Sequence, residues 1–248
     1  MKLEKICEVS RLSAGTDHRL SLLVESEDPD ALRIWRLSWQ QPLLAYSERN
    51  PAVCFETLLA NHGAPPLISR RRLALVFARS LLQLYENPWL SERWDKQRLY
   101  FFFHASGELD IRRPYLSTPF NPLPSGPEPP DLDRFHRNPG ILKLGILLIE
   151  THTWRPLESF YEQEDLAGSK PTPNTELQVA KRVLKSMDDC FGTYLSAIDA
   201  CLSVPWVPSG SRVSLDDAET RSGLYTDVVK PLESEVSLGE YTFKKPAQ

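Results

Sequence analysis

An almost unbroken apolar run in the middle of the chain most constrains how it can fold. From Ile141 to Ile149, only Lys143 and Gly145 interrupt a succession of isoleucines and leucines, and polar residues follow at once. A helix that is apolar on nearly every side is buried, whereas a surface helix is apolar on one face only. The run is far shorter than the about 20 residues that a membrane-spanning helix needs. The stretch 138–158 therefore predicts a central core helix around which other elements pack.

Composition and charge are those of an ordinary globular protein. Of the 248 residues, 41% are hydrophobic and 25% are charged, and the formal net charge is −4. A negative chain offers no electrostatic attraction to nucleic acid, so no nucleic-acid partner is expected. The four cysteines are scattered without a Cys-x-x-Cys pair, and the N-terminal segment has no continuous apolar stretch. These features predict an intracellular, cytoplasmic protein with no membrane span.

Hydrophobic periodicity divides the chain into short strands followed by helices. Two alternating segments, Leu20–Val24 and Trp35–Trp39, predict an antiparallel hairpin. The segment Leu99–Phe103 is aromatic and is expected to pair with a strand at 108–115 across a turn. Helices are predicted, in chain order, over 52–61, 69–86, the central run, 175–191, 193–204 and 214–235.

Several details of these helices can be predicted from single residues. Ser69 is a plausible N-cap, and Thr175 with Gln178 has the spacing of a capping box. Pro231 is expected to bend or end the last helix, and the tail after Gly239 is expected to fray. Arg70–Arg72 lie at a helix N-terminus, where the helix dipole disfavours cations. A solvated basic face is the preferred interpretation, with tertiary partners as the alternative.

The segment Pro119–Pro130 contains six prolines, too many for a helix or a central strand. It is expected to form a loop. Its P-x-x-P spacing, which includes Pro124 and Pro127, suits a groove of the SH3 type because the extended conformation is preformed. An ordinary surface loop is the alternative.

Motifs that bind nucleotides or metals are missing from the sequence. No two of the 11 glycines form a G-x-G pair, and the five histidines never occur at i, i+4 spacing. There is no G-x-S-x-G elbow around a serine nucleophile. The sequence therefore predicts no cofactor and no metal site.

The order of elements is similar to that of a protein-kinase C-lobe, and four segments carry the resemblance. The segment 69–90 resembles the helix before the catalytic loop, and LKLGILLIETHTWRPLE (142–158) resembles the buried central helix. YLSTP (115–119) resembles the end of an activation segment, and 194–206 resembles a late helix ending in Cys-Leu. The chain also resembles a fungal kinase-like domain of unknown function, often found beside prion-inhibition or HeLo-type regions.

This resemblance implies a mixed α+β, mostly α fold that is a truncated version of the kinase architecture. A β-hairpin at 1–45 would be the remnant of the small lobe. A helical C-lobe-like domain would occupy 46–238, and a frayed tail would occupy 239–248.

The residues that catalyse phosphoryl transfer in kinases are absent from the matching positions. SERWDKQR (91–98) lacks the His-Arg-Asp motif, with Arg93 and Arg98 in the places of the base and of a metal ligand. Asp110 precedes Ile-Arg-Arg instead of forming Asp-Phe-Gly, and no lysine lies between Lys5 and Lys96. Phosphoryl transfer depends on this lysine, the metal ligands and the base. The chain is therefore predicted not to be an enzyme.

The resulting prediction is a catalytically inactive, pseudokinase-like domain that interacts with a protein partner or regulates one. The family resemblance implies a link to fungal incompatibility or cell death. One alternative is an unconventional nucleotide-binding protein or kinase, in which Arg70–Arg72 or Arg112–Arg113 would hold phosphates. A second alternative is a helical scaffold unrelated to kinases. The expected contact surface comprises Trp89, Arg93, Trp94, Arg98, Pro124 and Pro127, with core packing as the alternative for both tryptophans.

Overall fold

The computed structural model describes residues 19–25, 34–40, 46–47, 49–84, 94–117, 135–168, 170–188, 190–207, 213–215 and 217–243. These residues form a mixed α+β structure that is mostly helical, as predicted. They fall into two units, one comprising 1–50 and 103–108 and the other comprising 51–102 and 109–248. The predictions for Trp89, Arg93, Pro124 and Pro127, and for the proline-rich loop, lie outside the described residues.

The first unit contains the predicted hairpin, formed by β1 (Arg19–Glu25) and β2 (Ile34–Gln40). The strands pair antiparallel over their whole length. Since side chains alternate between the two faces of a strand, this register aligns the apolar positions of one strand with those of the other. The aligned pairs are Leu20 with Trp39, Leu22 with Leu37, and Val24 with Trp35.

The same unit contains a tight turn at residues 103–108. The rings of Tyr46 and His104 stack with centroids 5.9 Å apart, and Ser47 donates its backbone N–H to Phe103 at 2.7 Å. Gly107 has φ +85°, a left-handed conformation that glycine adopts without steric cost. The predicted turn at 105–107 is therefore confirmed.

A small sheet in the second unit contains three short strands in the order β3 (Val53–Cys54), β4 (Leu99–Phe101) and β5 (Tyr115–Leu116). The antiparallel pairing of β4 with β5 confirms that the aromatic segment pairs with a following strand. The location predicted for that partner was wrong, because β5 shares only Tyr115 with the expected 108–115. Strand β3 was not predicted, because a helix follows its two residues directly and no turn-forming residue separates the two elements.

Helix α3 (Pro139–Thr153) is the predicted central helix, with 12 of its residues buried. Asn138 begins it by accepting the Ile141 N–H at 2.9 Å, and Pro139 occupies the first turn, where no N–H is needed. The other α-helices of the described residues are α1 (Phe55–Asn61), α2 (Leu67–Leu84), α4 (Thr175–Lys185), α5 (Gly192–Ser203), α6 (Ala218–Leu224) and α7 (Lys230–Phe243). Helices α2, α4 and α5 all pack against α3.

The two predicted helix caps are wrong, although α4 begins at Thr175 as predicted. Helix α2 begins at Leu67, so Ser69 lies in its first turn and donates its backbone N–H to Pro66 at 2.9 Å. Helix α4 has Asn174 as its N-cap, and the Thr175 hydroxyl instead donates to the Asp165 carbonyl at 2.8 Å. That hydroxyl also accepts the N–H of Thr172 at 2.8 Å. The local spacing predicted caps, but the Thr175 side chain forms hydrogen bonds within the loop before α4 and stabilises the conformation of that loop.

The C-terminal helical segment continues past Pro231, which does not end it. A single π turn, Tyr225–Val229, joins α6 to α7, and Lys230 donates its N–H to the Tyr225 carbonyl. Proline lacks a donor, and its ring collides with the carbonyl four residues earlier in a regular helix. A π turn displaces that hydrogen-bonding register by one residue. Helix α7 then runs through Gly239 to Phe243, into the segment that was expected to fray.

Gly145 permits the close approach of α3 and α5. A Cβ atom at this position would lie 3.0 Å from both Cys201 Cβ and Leu202 Cδ2. Gly145→Ala is therefore expected to lower the free energy of unfolding by about 1–3 kcal/mol through overpacking, although alanine favours helix by about 1 kcal/mol. Urea denaturation checks this result. Gly63→Ala, at a position with open space around it, is the control and should be close to neutral.

Candidate functional site

The turn Asp95–Arg98 lies in the segment predicted from sequence to correspond to a kinase catalytic loop. The Asp95 carboxylate accepts the backbone N–H groups of Gln97 at 2.9 Å and Arg98 at 3.2 Å. A short acidic side chain that bonds the N–H two residues later forms an Asx turn. The Asp95 carboxylate therefore holds the backbone of the turn, and the Lys96 side chain within this turn is buried, at 8% exposed.

Lys96 forms an ionic cluster with two glutamates, called here the Lys96 cluster (Lys96, Glu150 and Glu158). Its ammonium donates to Glu150 Oε1 at 2.7 Å and also to Glu158 Oε2. Glu150 lies in the last turns of α3 and is 1% exposed. Its Oε1 also accepts the Leu157 N–H at 2.8 Å. The cluster thus fixes the turn and the segment after α3 to the end of the central helix.

Burial and charge act in opposite directions within the Lys96 cluster. Burial alone would lower the pKa of Lys96, but the charge and hydrogen bond of Glu150, with those of Glu158, raise it above its usual value. Burial raises the pKa of Glu150, and Lys96 opposes this effect only in part. Although burial disfavours its charge, the hydrogen bond from Lys96 lowers the pKa of Glu158. Lys96 is therefore charged at neutral pH and committed to internal partners.

A recess of about 30 Å³ lies beside this cluster. Lys143 lines it and donates to both carboxylate oxygens of Glu176, at 2.6 and 2.8 Å. A volume of this size holds a water molecule but no larger ligand. The recess is therefore a small polar site whose two lysines are paired with glutamates.

Two of the residues predicted to form an interaction surface, Trp94 and Arg98, differ in burial. Trp94 is 2% exposed and packs edge-on against Phe77, with ring centroids 6.5 Å apart, so it belongs to the core. Core packing was the alternative prediction for this residue. Arg98 is partly buried, and its carbonyl accepts the Ser117 N–H at 2.8 Å.

The arginines at the start of α2 do not form a solvated basic face, so that interpretation is wrong. Arg71 is 3% exposed, and its guanidinium carbon lies 3.7 Å from the centroid of the Tyr194 ring. Arg70 donates to the His152 carbonyl at the C-terminal end of α3. The remaining polar contacts of Arg71 are to Glu235 Oε2 at 3.2 Å, His152 Nδ1 at 3.0 Å and Cys190 Sγ at 3.4 Å.

Sequence reasoning did not identify the Lys96 cluster, although one signal was present. Lys143 and Glu150 are the charged residues within the apolar central helix. A charged side chain is seldom buried without a partner, because removing it from water is costly. The composition of the helix therefore implied two ionic partners, which the structure identifies as Glu176 and Lys96.

The second unit also has an open groove of about 530 Å³, called here the α5–π groove. One wall is formed by α5 and the other by the π turn and the start of α7. Asp199 and Asp227 face it from these two walls. Its apolar lining includes Leu184, Leu195, Pro205 and Pro231.

Two classes of site can be assessed over the described residues. In this part of the chain, no group of three or more His, Cys, Asp or Glu side chains is arranged to hold a metal ion. None of the helices found there has the length and apolar character required to cross a membrane.

Comparison with known proteins gives one relationship. The model of a family described as a domain of unknown function, DUF7580, matches residues 1–239. The chain belongs to this family. No curated protein and no solved structure matches it significantly.

Proposed function

We propose that this DUF7580 domain is a catalytically inactive, truncated kinase-like domain that acts by binding a protein partner. The observation that carries the proposal is the commitment of Lys96 to Glu150 and Glu158 inside the fold. Asp95, in the same loop, is occupied by the backbone of its own turn. Lys96 and Asp95, the charged groups in the segment that resembles a catalytic loop, therefore stabilise the fold. A domain that keeps this scaffold without catalytic residues can still bind a partner through its surface.

The arrangement of the core supports the kinase-like part of the proposal. A buried central helix surrounded by other helices, together with the strand pair β4–β5, follows the order expected of a C-lobe. Phe55 contacts both Phe101 of β4 and Trp154 at the end of α3, with ring centroids 6.0 and 5.7 Å apart. One aromatic side chain therefore connects the strand pair with the end of the central helix.

The surroundings of Asp110 support the absence of catalysis. In the resemblance, this residue lies near the position of a magnesium ligand. It is 5% exposed, accepts the Arg112 N–H at 3.2 Å, and lies 3.7 Å from an Arg113 guanidinium nitrogen. A guanidinium next to the carboxylate opposes binding of a divalent cation by charge repulsion. Phosphoryl transfer requires metal ions at the phosphates, so this environment is unsuited to it.

We expect ATP with Mg²⁺ to leave the melting temperature of the domain unchanged. A ligand that binds only the native state at 100 times its dissociation constant adds about 2.7 kcal/mol to the free energy of unfolding. In a domain of this size, 1 kcal/mol corresponds to about 2–4 °C. A thermal-shift titration with ATP, ADP and GTP would therefore detect binding easily, and an active protein kinase measured alongside is the control.

Two results would contradict the proposal. One is a nucleotide-dependent rise of several degrees in melting temperature, which would favour the nucleotide-binding alternative. The other is phosphorylation of a general substrate that is lost in the Asp95→Ala variant, because Asp95 is the one aspartate in the segment SERWDKQR (91–98).

The resemblance also suggests a biological setting. Fungal kinase-like domains beside prion-inhibition or HeLo-type regions point to regulation of incompatibility or cell death. Deleting the gene in a fungal host and scoring the incompatibility reaction tests this setting. An unchanged reaction in all allelic combinations would reject it and leave the biochemical proposal in place.

A further inference from the structure

The α5–π groove has the size and composition of a binding site. Its volume of about 530 Å³ falls within the range of about 300–1,000 Å³ found for ligand pockets. Most pockets of this kind combine apolar walls with a few polar groups that converge on the ligand. The charged side chains that line the groove are Asp199 on α5 and Asp227 in the π turn, and Ser196, Ser203 and Thr226 add hydroxyl groups.

Neither carboxylate is used by the fold. Among the described residues, no hydrogen bond or ion pair involves the side chain of Asp199 or of Asp227. By contrast, the carboxylates of Asp165, Glu150 and Glu176 all have cationic partners. Two unpaired negative charges on facing walls attract a positive group placed between them and repel phosphate. The charge of the groove lining therefore favours a positive group over a negative one.

The backbone of one wall is unusual. Thr226 and Asp227 lie in the π turn between α6 and α7. π turns are rare, and single π turns within helices are frequently found at functional sites. The next residue after this turn that lines the groove is Pro231, which prevents a regular hydrogen bond at that point. The irregular helix thus places Asp227 and an apolar ring on the same side of the groove.

We propose that the α5–π groove binds a segment of a partner protein that carries a lysine or arginine next to an apolar residue. The cation would lie between Asp199 and Asp227, and the apolar side chain would contact Leu195 and Pro231. A long basic side chain suits such a site because its aliphatic stem packs on apolar walls while its charge reaches the carboxylates. The inference rests on the proposed function, since it identifies the partner chemistry of the interaction domain.

The test begins with a phage-displayed library of random twelve-residue peptides selected on the full chain. Selected peptides are expected to share a lysine or arginine beside a leucine, isoleucine or aromatic residue. The enriched peptide, made synthetically with a fluorescent label, is then titrated with the protein and followed by anisotropy. Asp199→Asn/Asp227→Asn should weaken binding at least tenfold, and added salt should weaken wild-type binding more than binding by this variant.

The matched control is Glu108→Gln/Glu164→Gln, which removes the same number of charges from exposed positions outside the groove. Its affinity for the peptide should equal that of the wild type. Unchanged melting temperatures in both double variants would show that folding is intact. Peptides without a basic residue, or equal effects of the two double variants, would overturn the proposal. Concentration-dependent dimerisation that the groove variant abolishes would also overturn it, because the occupant would then be a second copy.

The two proposals fail in distinguishable ways. A groove that binds no basic peptide, in a protein that also shows no nucleotide shift, rejects this inference and leaves the interaction domain in place. A clear ATP-dependent shift rejects the inactive-domain proposal, whatever peptide the groove binds.

Discussion

Replacing Lys96 by methionine is expected to lower the free energy of unfolding by about 3–5 kcal/mol at pH 8, because it leaves a buried carboxylate without its cation. Glu150 is 1% exposed, and the Leu157 N–H would be its one remaining described hydrogen-bond donor. Methionine keeps most of the volume of the lysine stem, so the charge is the main change. Urea denaturation measures the effect, and the melting temperature should fall by about 6–20 °C.

The same variant should lose less stability at pH 5 than at pH 8. Burial already raises the pKa of Glu150 in the native protein, and Lys96 is the group that opposes this rise. Without Lys96, the native state holds the Glu150 proton over a pH range in which the unfolded state has released it. Stability then decreases as pH rises through that range, because the native state binds more protons than the unfolded state. Urea titrations at pH 5, 6, 7 and 8 follow this trend directly.

Two further variants separate charge from packing. Lys96→Met/Glu150→Gln removes both charges and keeps an oxygen for the Leu157 N–H, so most of the lost stability should return. Arg79→Met breaks an ion pair with Glu233 in which the arginine side chain is 52% exposed, and it should cost no more than about 1 kcal/mol. If Lys96→Met were as mild as Arg79→Met at pH 8, the Lys96 cluster would not contribute as argued.

The elements that sequence predicted well are those with strong local patterns. Helix α3 follows from a run of isoleucine and leucine, and the strand pair β4–β5 follows from the aromatic segment at Leu99. In both cases, a run of apolar residues in the sequence indicates directly that the element is buried. Element ends were less predictable, because Ser69 and Thr175 have the right chemistry for caps but bond differently in the fold.

The ionic groups could not be predicted because they join residues far apart in the sequence. Lys96 and Glu150 are 54 residues apart, and Arg71 and Glu235 are 164 apart. No periodicity relates such positions, since the pairing depends on how the helices pack. The α5–π groove was missed for the same reason, because its two carboxylates lie on different elements. Two features of the sequence did indicate that ionic partners exist. These are the charged residues within the apolar helix α3 and the arginines at the N-terminus of α2, where the helix dipole is unfavourable for cations.

The Lys96 cluster and the arginines Arg70 and Arg71 all make contacts at the C-terminal end of α3. Lys96 binds Glu150, Arg71 contacts His152 Nδ1, and Arg70 donates to the His152 carbonyl, one of the last carbonyls of the helix. The last carbonyls of a helix lack partners within it, and its dipole attracts cations there. Arginines that are unfavourable at the start of α2 are thus favourable at the end of α3. This relation explains why the basic segment is buried.

Replacing Arg71 by methionine is accordingly expected to lower the free energy of unfolding by about 3–5 kcal/mol. The change removes the described cationic partner of Glu235, which is 8% exposed and would keep a hydrogen bond from the Thr193 hydroxyl. It also removes the guanidinium stacked on the Tyr194 ring, a contact that contributes about 2 kcal/mol when desolvated. Urea denaturation should place the midpoint well below that of the wild type.

The control variants for Arg71 test which property of the guanidinium matters. Arg71→Lys keeps the charge but lacks the planar fork that reaches Glu235, His152 and Cys190 together, so it should recover only part of the stability. Arg71→Met/Glu235→Gln removes both charges and should be more stable than Arg71→Met alone. Because arginine only donates, His152 must present a lone pair at Nδ1. Full stability of Arg71→Lys would show that charge alone suffices and would contradict the argument from the fork.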